Sequence, residues 1–145
     1  MENSLLMYYS TKRQKTIVVH LDGTVGERSG KPVQLLKDWC WSAGSSFEGR
    51  IACYKRKTGR VQKPVILIRS SPALIFFPTA AMSRHDCIYL RHDQIRRIQG
   101  DRSGCVVEFH SGVTYRLDYD VRIIRKQRRH CLQYLQLLSG GAGQS

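Results

Sequence analysis

Two uninterrupted apolar runs, Val65-Ile66-Leu67-Ile68 and Leu74-Ile75-Phe76-Phe77, flank the turn sequence Ser70-Ser71-Pro72. A strand with one wet face alternates apolar and polar residues, whereas an unbroken run needs cover on both faces. The pair therefore predicts a hairpin buried on both sides, closed by Pro78-Thr79. Whatever else the chain forms must supply that cover.

The segments around it are readable by period. Leu5–Tyr9 and Thr16–Leu21 are rich in β-formers, flank the polar turn 10–15 and are followed by Asp22-Gly23, which predicts an N-terminal hairpin and a tight turn. Pro32 suits a first helical turn, Val33, Leu36, Cys40 and Ala43 keep helical spacing, and Gly44 is placed to end that helix. Phe47, Ile51 and Tyr54 make the buried stripe of a second helix, with Ser45 and Glu48 spaced as a capping box. Two short helices, 32–43 and 46–58, are expected. Trp39, Trp41, Phe76 and Phe77 are read as core, since apolar residues surround them.

Further along, 80–86 reads as an irregular loop, 87–90 as a strand, and 94–99 fits neither period. Cys105–His110 and Val113–Asp118 form the clearest hairpin. A two-residue loop would put Phe109 and Val113 on opposite faces. The three-residue loop His110-Ser111-Gly112 instead pairs Phe109 with Val113, Val107 with Tyr115 and Cys105 with Leu117, leaving one face apolar. Asp120 caps a last helix over 121–138, with Ile124, Cys131, Leu135 and Leu138 inward, and 139–145 reads as a flexible tail. The expected fold class is α+β in one domain, 1–138: a mostly antiparallel sheet, two short helices after an N-terminal hairpin, and a basic C-terminal helix.

Charge narrows the function. The chain of 145 residues carries 24 Lys+Arg against 11 Asp+Glu, a net charge of +13. Self-repulsion on that scale points to a polyanionic partner, with nucleic acid ahead of an anionic membrane surface. The start of the sequence lacks the charged and apolar regions of a signal peptide, and no stretch has the length of a membrane span. Five cysteines with no Cys-x-x-Cys suggest reduced thiols and a cytoplasmic setting.

Catalytic and metal chemistry find little footing. His85-x-Cys87 is the closest ligand spacing, with no second pair at zinc-finger distance. There is no Gly-x-Ser-x-Gly elbow, and Gly44-Ser45-Ser46 lacks the ending of a phosphate loop. A non-enzymatic protein without a cofactor is expected. The candidate binding residues are instead cations. Arg50, Lys55, Arg56, Lys57, Arg60 and Lys63 follow the free amides expected at Ser45 and Ser46, making either an anion-binding surface or a solvated helix face. Arg122, Arg125, Lys126 and Arg129 share the outer face of the last helix, as a second phosphate row or the rim of a dimer interface. Arg84 and His85, on the irregular loop, either read a groove or belong to a plain turn.

Several of these residues resemble one family, the ComK-type bacterial competence transcription factors. Gly44-Ser45-Ser46-Phe47-Glu48-Gly49-Arg50 is similar to its Gly-Ser-(Ser/Thr)-aromatic-x-Gly-Arg block, and Lys63-Pro64-Val65 to its Lys-x-Pro-Ile/Val segment. Ile75-Phe76-Phe77-Pro78-Thr79, then Asp86-Cys87-Ile88, and Phe109-His110-Ser111-Gly112 follow in the family's order. The resemblance implies an activator of competence (DNA uptake) genes that binds double-stranded AT-rich boxes with dyad symmetry, largely through the minor groove, as a dimer or higher oligomer. It also implies RNA polymerase as a partner and a nucleoid-associated place in the cytoplasm. The sequence departs from longer members, which continue into a tail used for adaptor-mediated proteolysis, so turnover by that route is not expected. Asp93-x-Ile95-x-x-Ile98, the hairpin and the basic helix also resemble the strand-built DNA-binding domain of LytTR-type response regulators, which implies contacts from loops between strands. The main alternative is a nucleic-acid-binding protein, for RNA or DNA, without sequence preference or activator role.

Overall fold

The structure, a computed structural model, describes residues 2–143, with side chains to residue 140. In chain order it runs β1 (Ser4–Ser10), β2 (Lys15–His20), β3 (Val25–Arg28), α1 (Pro32–Ser42), α2 (Phe47–Thr58), β4 (Ile66–Ser70), β5 (Ala73–Pro78) and β6 (Ile88–Arg91). A short 3-10 turn at His92–Gln94 leads into β7 (Ile95–Gly100), β8 (Cys105–Phe109), β9 (Thr114–Leu117) and α3 (Val121–Gly143). The class is α+β, and every strand pairing is antiparallel.

The doubly apolar hairpin is β4–β5, at one end of a six-stranded sheet ordered β3-β2-β1-β6-β5-β4. Its side chains divide by parity. Ile66, Ile68, Leu74 and Phe76 enter a core with Met7, Leu36, Trp39 and Phe47 on the α1 side. Leu67, Ile75 and Phe77 enter a second core shared with the small sheet β7-β8-β9 and with Ile124, Cys131 and Tyr134 of α3. Three layers result, and within the middle one the β4–β5 hairpin is buried on both faces. Phe76 and Phe77 are fully buried, each contributing roughly 1.5–3 kcal/mol relative to exposure.

β4 is an edge strand, so its apolar run needs protection along the rim as well. Helix α2 supplies it: the helix packs along β4, with Phe47 at its start in one core and Tyr54 near its end in the other. The ring of Tyr54 then meets that of Tyr134 edge to face at 5.1 Å, joining α2 to α3.

The three-residue hairpin loop is as expected. Cys105 faces Leu117, Val107 faces Tyr115, the Phe109 amide donates to the Val113 carbonyl, and Gly112 adopts φ 95°. Other expectations need correction. The cap of α2 is Ser46, whose Oγ accepts from the Gly49 amide at 3.0 Å. Ser45 belongs instead to the end of α1: its amide donates to the Cys40 carbonyl while Gly44 donates to Trp41, which together satisfy the last carbonyls of that helix. With glycine three residues after the cap, no capping box forms. Trp41 is not core. It is 78% exposed, because it lies a quarter-turn from the Trp39–Cys40 face that α1 buries. β3 had no signal in the sequence: Val25-Gly26-Glu27-Arg28 has no apolar alternation, and the strand is held by backbone pairing to β2. Helix α3 continues five residues past Leu138, to Gly143, and the remainder of the expected tail lies outside the described residues.

Candidate nucleic-acid interface

The acids of this chain leave two gaps longer than any other. None occurs between Glu48 and Asp86, or after Asp120. The fold puts those two gaps side by side, because the end of α2 packs against α3: the Arg60 guanidinium donates to Gln133 Oε1 at 2.5 Å, beside the Tyr54–Tyr134 contact. Elsewhere many cations are matched, although Lys12, Arg28, Lys31 and Arg102 have no ion pair among the described residues. Arg13 and Lys15 meet Glu27, Lys37 meets Glu48, Arg96 and Arg97 share Glu108, and Arg116 meets Asp101. Among the described residues, no ion pair reaches Arg50, Lys55, Arg56, Lys57, Arg60 or Lys63, nor Arg125, Lys126, Arg128 or Arg129. Most of the cations without an ion pair thus lie on α2, the segment to Lys63, and α3.

Within that group the side chains differ. Lys55, Arg56 and Lys57 are exposed on the last turns of α2. Arg50 turns inward, its Nε donating to Ser45 Oγ at 3.2 Å and its guanidinium facing the Ile68 carbonyl on the open rim of β4 at 3.4 Å. Lys63 sits at φ 46°, held by Gln127: this buried glutamine donates from Nε2 to the carbonyls of Lys63 (3.0 Å) and Pro78 (2.8 Å). A polar residue between Ile124 and Cys131 on an inward stripe was the available signal for that clasp. The expected free amides at the start of α2 are partly used. The Ser45 amide is bonded to Cys40, and the Glu48 carboxylate, drawn below its usual range chiefly by its own backbone amide and by Lys37, already occupies the helix start. An anion-binding role for this segment therefore rests on side chains.

On α3, Arg122, Arg125, Lys126 and Arg129 are all exposed. Arg122 is paired with Asp120, the helix cap, whose carboxyl is held down to about 2 chiefly by that guanidinium. Arg125 reaches the Ile98 carbonyl at 3.3 Å, and Lys126 and Arg129 are free of ion pairs among the described residues. Beside them lies His130, whose pKa is lowered to about 4, first by burial and then by Arg60, Lys126, Arg129 and Lys63. His130 carries no signal in the sequence, because the packing of 60–63 against α3 is what completes the charge around it.

Arg84 and His85 are exposed on the loop between β5 and β6, with Arg84 clamped bidentately to Asp86 at 2.9 and 2.6 Å. They line one cleft of about 1130 Å³ together with Lys55 and Lys63. Four tyrosines line the same cleft: Tyr8 and Tyr9 from β1, Tyr115 from β9, and Tyr119 from the link to α3. Lys57 and Arg60 line a shallower groove against Gln133, Gln136 and Leu137 of α3. Two of the expected clusters are thereby brought together, while the outer row of α3 stands apart from the cleft. Among the described residues no group of three or more His, Cys, Asp or Glu could hold a metal ion, and no helix is long and apolar enough to cross a membrane.

The family model described as ComK protein matches residues 4–140. Among characterised proteins, the competence transcription factor of Bacillus subtilis (strain 168) is 30% identical over 88 residues, covering 60% of this chain and 46% of that protein. The match therefore spans about half of that relative's length. No solved structure matches the chain.

Proposed function

The chain belongs to the ComK family, and from that premise we propose that it is a DNA-binding transcriptional activator of competence genes, selective for AT-rich dyad boxes and acting as a dimer or higher oligomer. The observation that carries this reading is the unmatched cation surface built by residues 50–63 and the outer face of α3. A duplex offers closely spaced phosphates, and every counterion displaced by a lysine or arginine adds to affinity. Lys55, Arg56, Lys57 and Lys63 contact the backbone of the duplex. Arg129 and Lys126 extend that contact, and Arg84 and His85 approach the minor groove, whose narrow AT form attracts arginine. Arg50 acts through position: it braces the first turn of α2 against β4.

Self-association is supported by two apolar side chains on the outer side of α3, Leu132 (51% exposed) and Leu137 (47% exposed), beyond the row of arginines. Recruitment of RNA polymerase belongs to the same reading, and exposed Trp41, remote in charge character from the cation surface, is the residue offered for a protein partner.

The test is a gel-shift comparison of an AT-box duplex with a GC-rich duplex of equal length over a salt series. With about six phosphates neutralised, log K falls against log salt with a slope near −5. The AT duplex holds the protein more tightly throughout. Equal competition by poly(dA·dT) and poly(dG·dC) reduces the protein to a non-selective nucleic-acid binder, and an affinity indifferent to salt removes the reading altogether.

A further inference from the structure

The cleft holding Lys55, Lys63 and His85 has a composition that duplex binding does not call for. Its volume of about 1130 Å³ is comparable to the roughly 300–1,000 Å³ of small-molecule sites. Four of its lining residues are half-buried tyrosines, drawn from three separate parts of the chain. The Tyr115 hydroxyl is pushed up to about 12, first by burial and then by Tyr8 beside it, so the Tyr115 ring presents a neutral, planar wall. Tyr119 donates from its hydroxyl to the Asp86 carbonyl and so ties the 80–86 loop to the link before α3. The lining also carries both signs of charge. Lys55 and Lys63 lack ion pairs among the described residues, and so does the exposed carboxylate of Asp118. A duplex backbone would gain nothing from Asp118, and a convex double helix does not enter a concave site of this size.

We propose that this cleft between the two sheets is a nucleotide site, with a planar base held among Tyr8, Tyr9, Tyr115 and Tyr119, the phosphate on Lys55 and Lys63, and Asp118 accepting from sugar hydroxyls or a base amine. Each contact uses ordinary chemistry: aromatic stacking holds any base, ammonium groups hold phosphate as point charges, and a free carboxylate takes O–H and N–H donors. Lys55 and Lys63 also belong to the surface assigned to DNA, so an occupied cleft withdraws two cations from it. That consequence rests on the DNA reading; the site itself does not.

The experiment is an NMR amide titration of the full chain with adenosine 5′-monophosphate, set against adenosine alone and inorganic phosphate alone at constant ionic strength. The expected result is saturable shifts at residues 8–9, 63, 85 and 115–119 with the monophosphate, and binding at least about tenfold weaker for either fragment. Tyr115→Leu, which keeps apolar cover, and Lys63→Gln, at a half-buried position, each weaken the monophosphate about tenfold or more, and Lys63→Gln remains informative if Tyr115→Leu disturbs the fold. Shifts no larger than those from phosphate, shifts confined to the outer face of α3, or unchanged affinity in Lys63→Gln overturn the proposal. In a second arm, saturating monophosphate weakens AT-box binding and lowers the salt slope by about two. Salt-sensitive duplex binding with no monophosphate titration sinks the nucleotide site and leaves the DNA reading standing; a saturable titration without duplex binding does the reverse.

Discussion

His130 is a built-in gauge of the surface around it. Its Nδ1 lies 3.1 Å from Gln127 Oε1, and burial first, then Arg60 with Lys126, Arg129 and Lys63, hold its pKa near 4, below the ordinary 6.5. A polyanion laid on those cations cancels their field and raises the value again. The complex then carries more protons than the free protein, so duplex affinity increases as pH falls from 7 toward 5. NMR titration of the His130 ring, free and bound, reads this directly; an unchanged pKa places the duplex elsewhere. Gln127 is the residue on which the neighbourhood depends mechanically. Gln127→Leu leaves the Lys63 and Pro78 carbonyls unpartnered in a buried setting and costs about 1–3 kcal/mol in a denaturant melt. Gly104 is constrained by space: a Cβ there would stand 2.1 Å from the Leu117 carbonyl oxygen, inside the backbone of the β8–β9 hairpin. Gly104→Ala therefore destabilises by more than about 2 kcal/mol or prevents folding, seen as a lost or lowered thermal transition.

Elements differ in how plainly the sequence announces them. The β8–β9 register was readable because a one-residue slip would turn Cys105, Val107 and Phe109 out to water, and only one loop length avoids that. β4 and β5 were readable for a different reason: an unbroken apolar run needs cover on both faces. β3 was not, since its hold on the sheet is a backbone ladder with no side-chain pattern behind it. The start of α2 was misread by one residue because Ser45 and Ser46 are chemically alike, and the choice is made by α1: its last carbonyls claim Ser45. Ser46→Ala should accordingly cost about 1 kcal/mol, with Ser45→Ala changing the end of α1 instead. The candidate site was legible as a list of cations and illegible as a place. That Lys55, Lys63, Arg84 and His85 share a cleft follows from β1, β9 and α3 meeting there, none of which is local in sequence. On α3, Leu132→Glu is expected to shift self-association to higher concentration in sedimentation while leaving the helix content unchanged, since the side chain is half exposed.

At the scale of the whole molecule, two responses to solution conditions follow. Burial, reinforced by Arg128, whose Nε faces His92 Nδ1 at 3.4 Å, lowers the His92 pKa to about 4. Unfolded, that ring takes a proton near 6.5; folded, it resists until near 4. The folded state is therefore favoured above pH 6.5 and loses stability, on the order of 2 kcal/mol, as pH falls from 6.5 to 4. Thermal melts across that range should show the loss, and His92→Asn should flatten it. The second response concerns approach. With Glu27, Asp101 and Glu108 each held by an arginine, and most of the cations without an ion pair among the described residues on the later turns of α2, the segment to Lys63, and α3, the protein carries its surplus charge unevenly as well as being a net cation. In the field of a distant polyanion such a body feels a torque before it feels contact. It tumbles less than a uniformly charged sphere would and arrives with α2 and α3 leading, so that fewer collisions are wasted on the wrong flank.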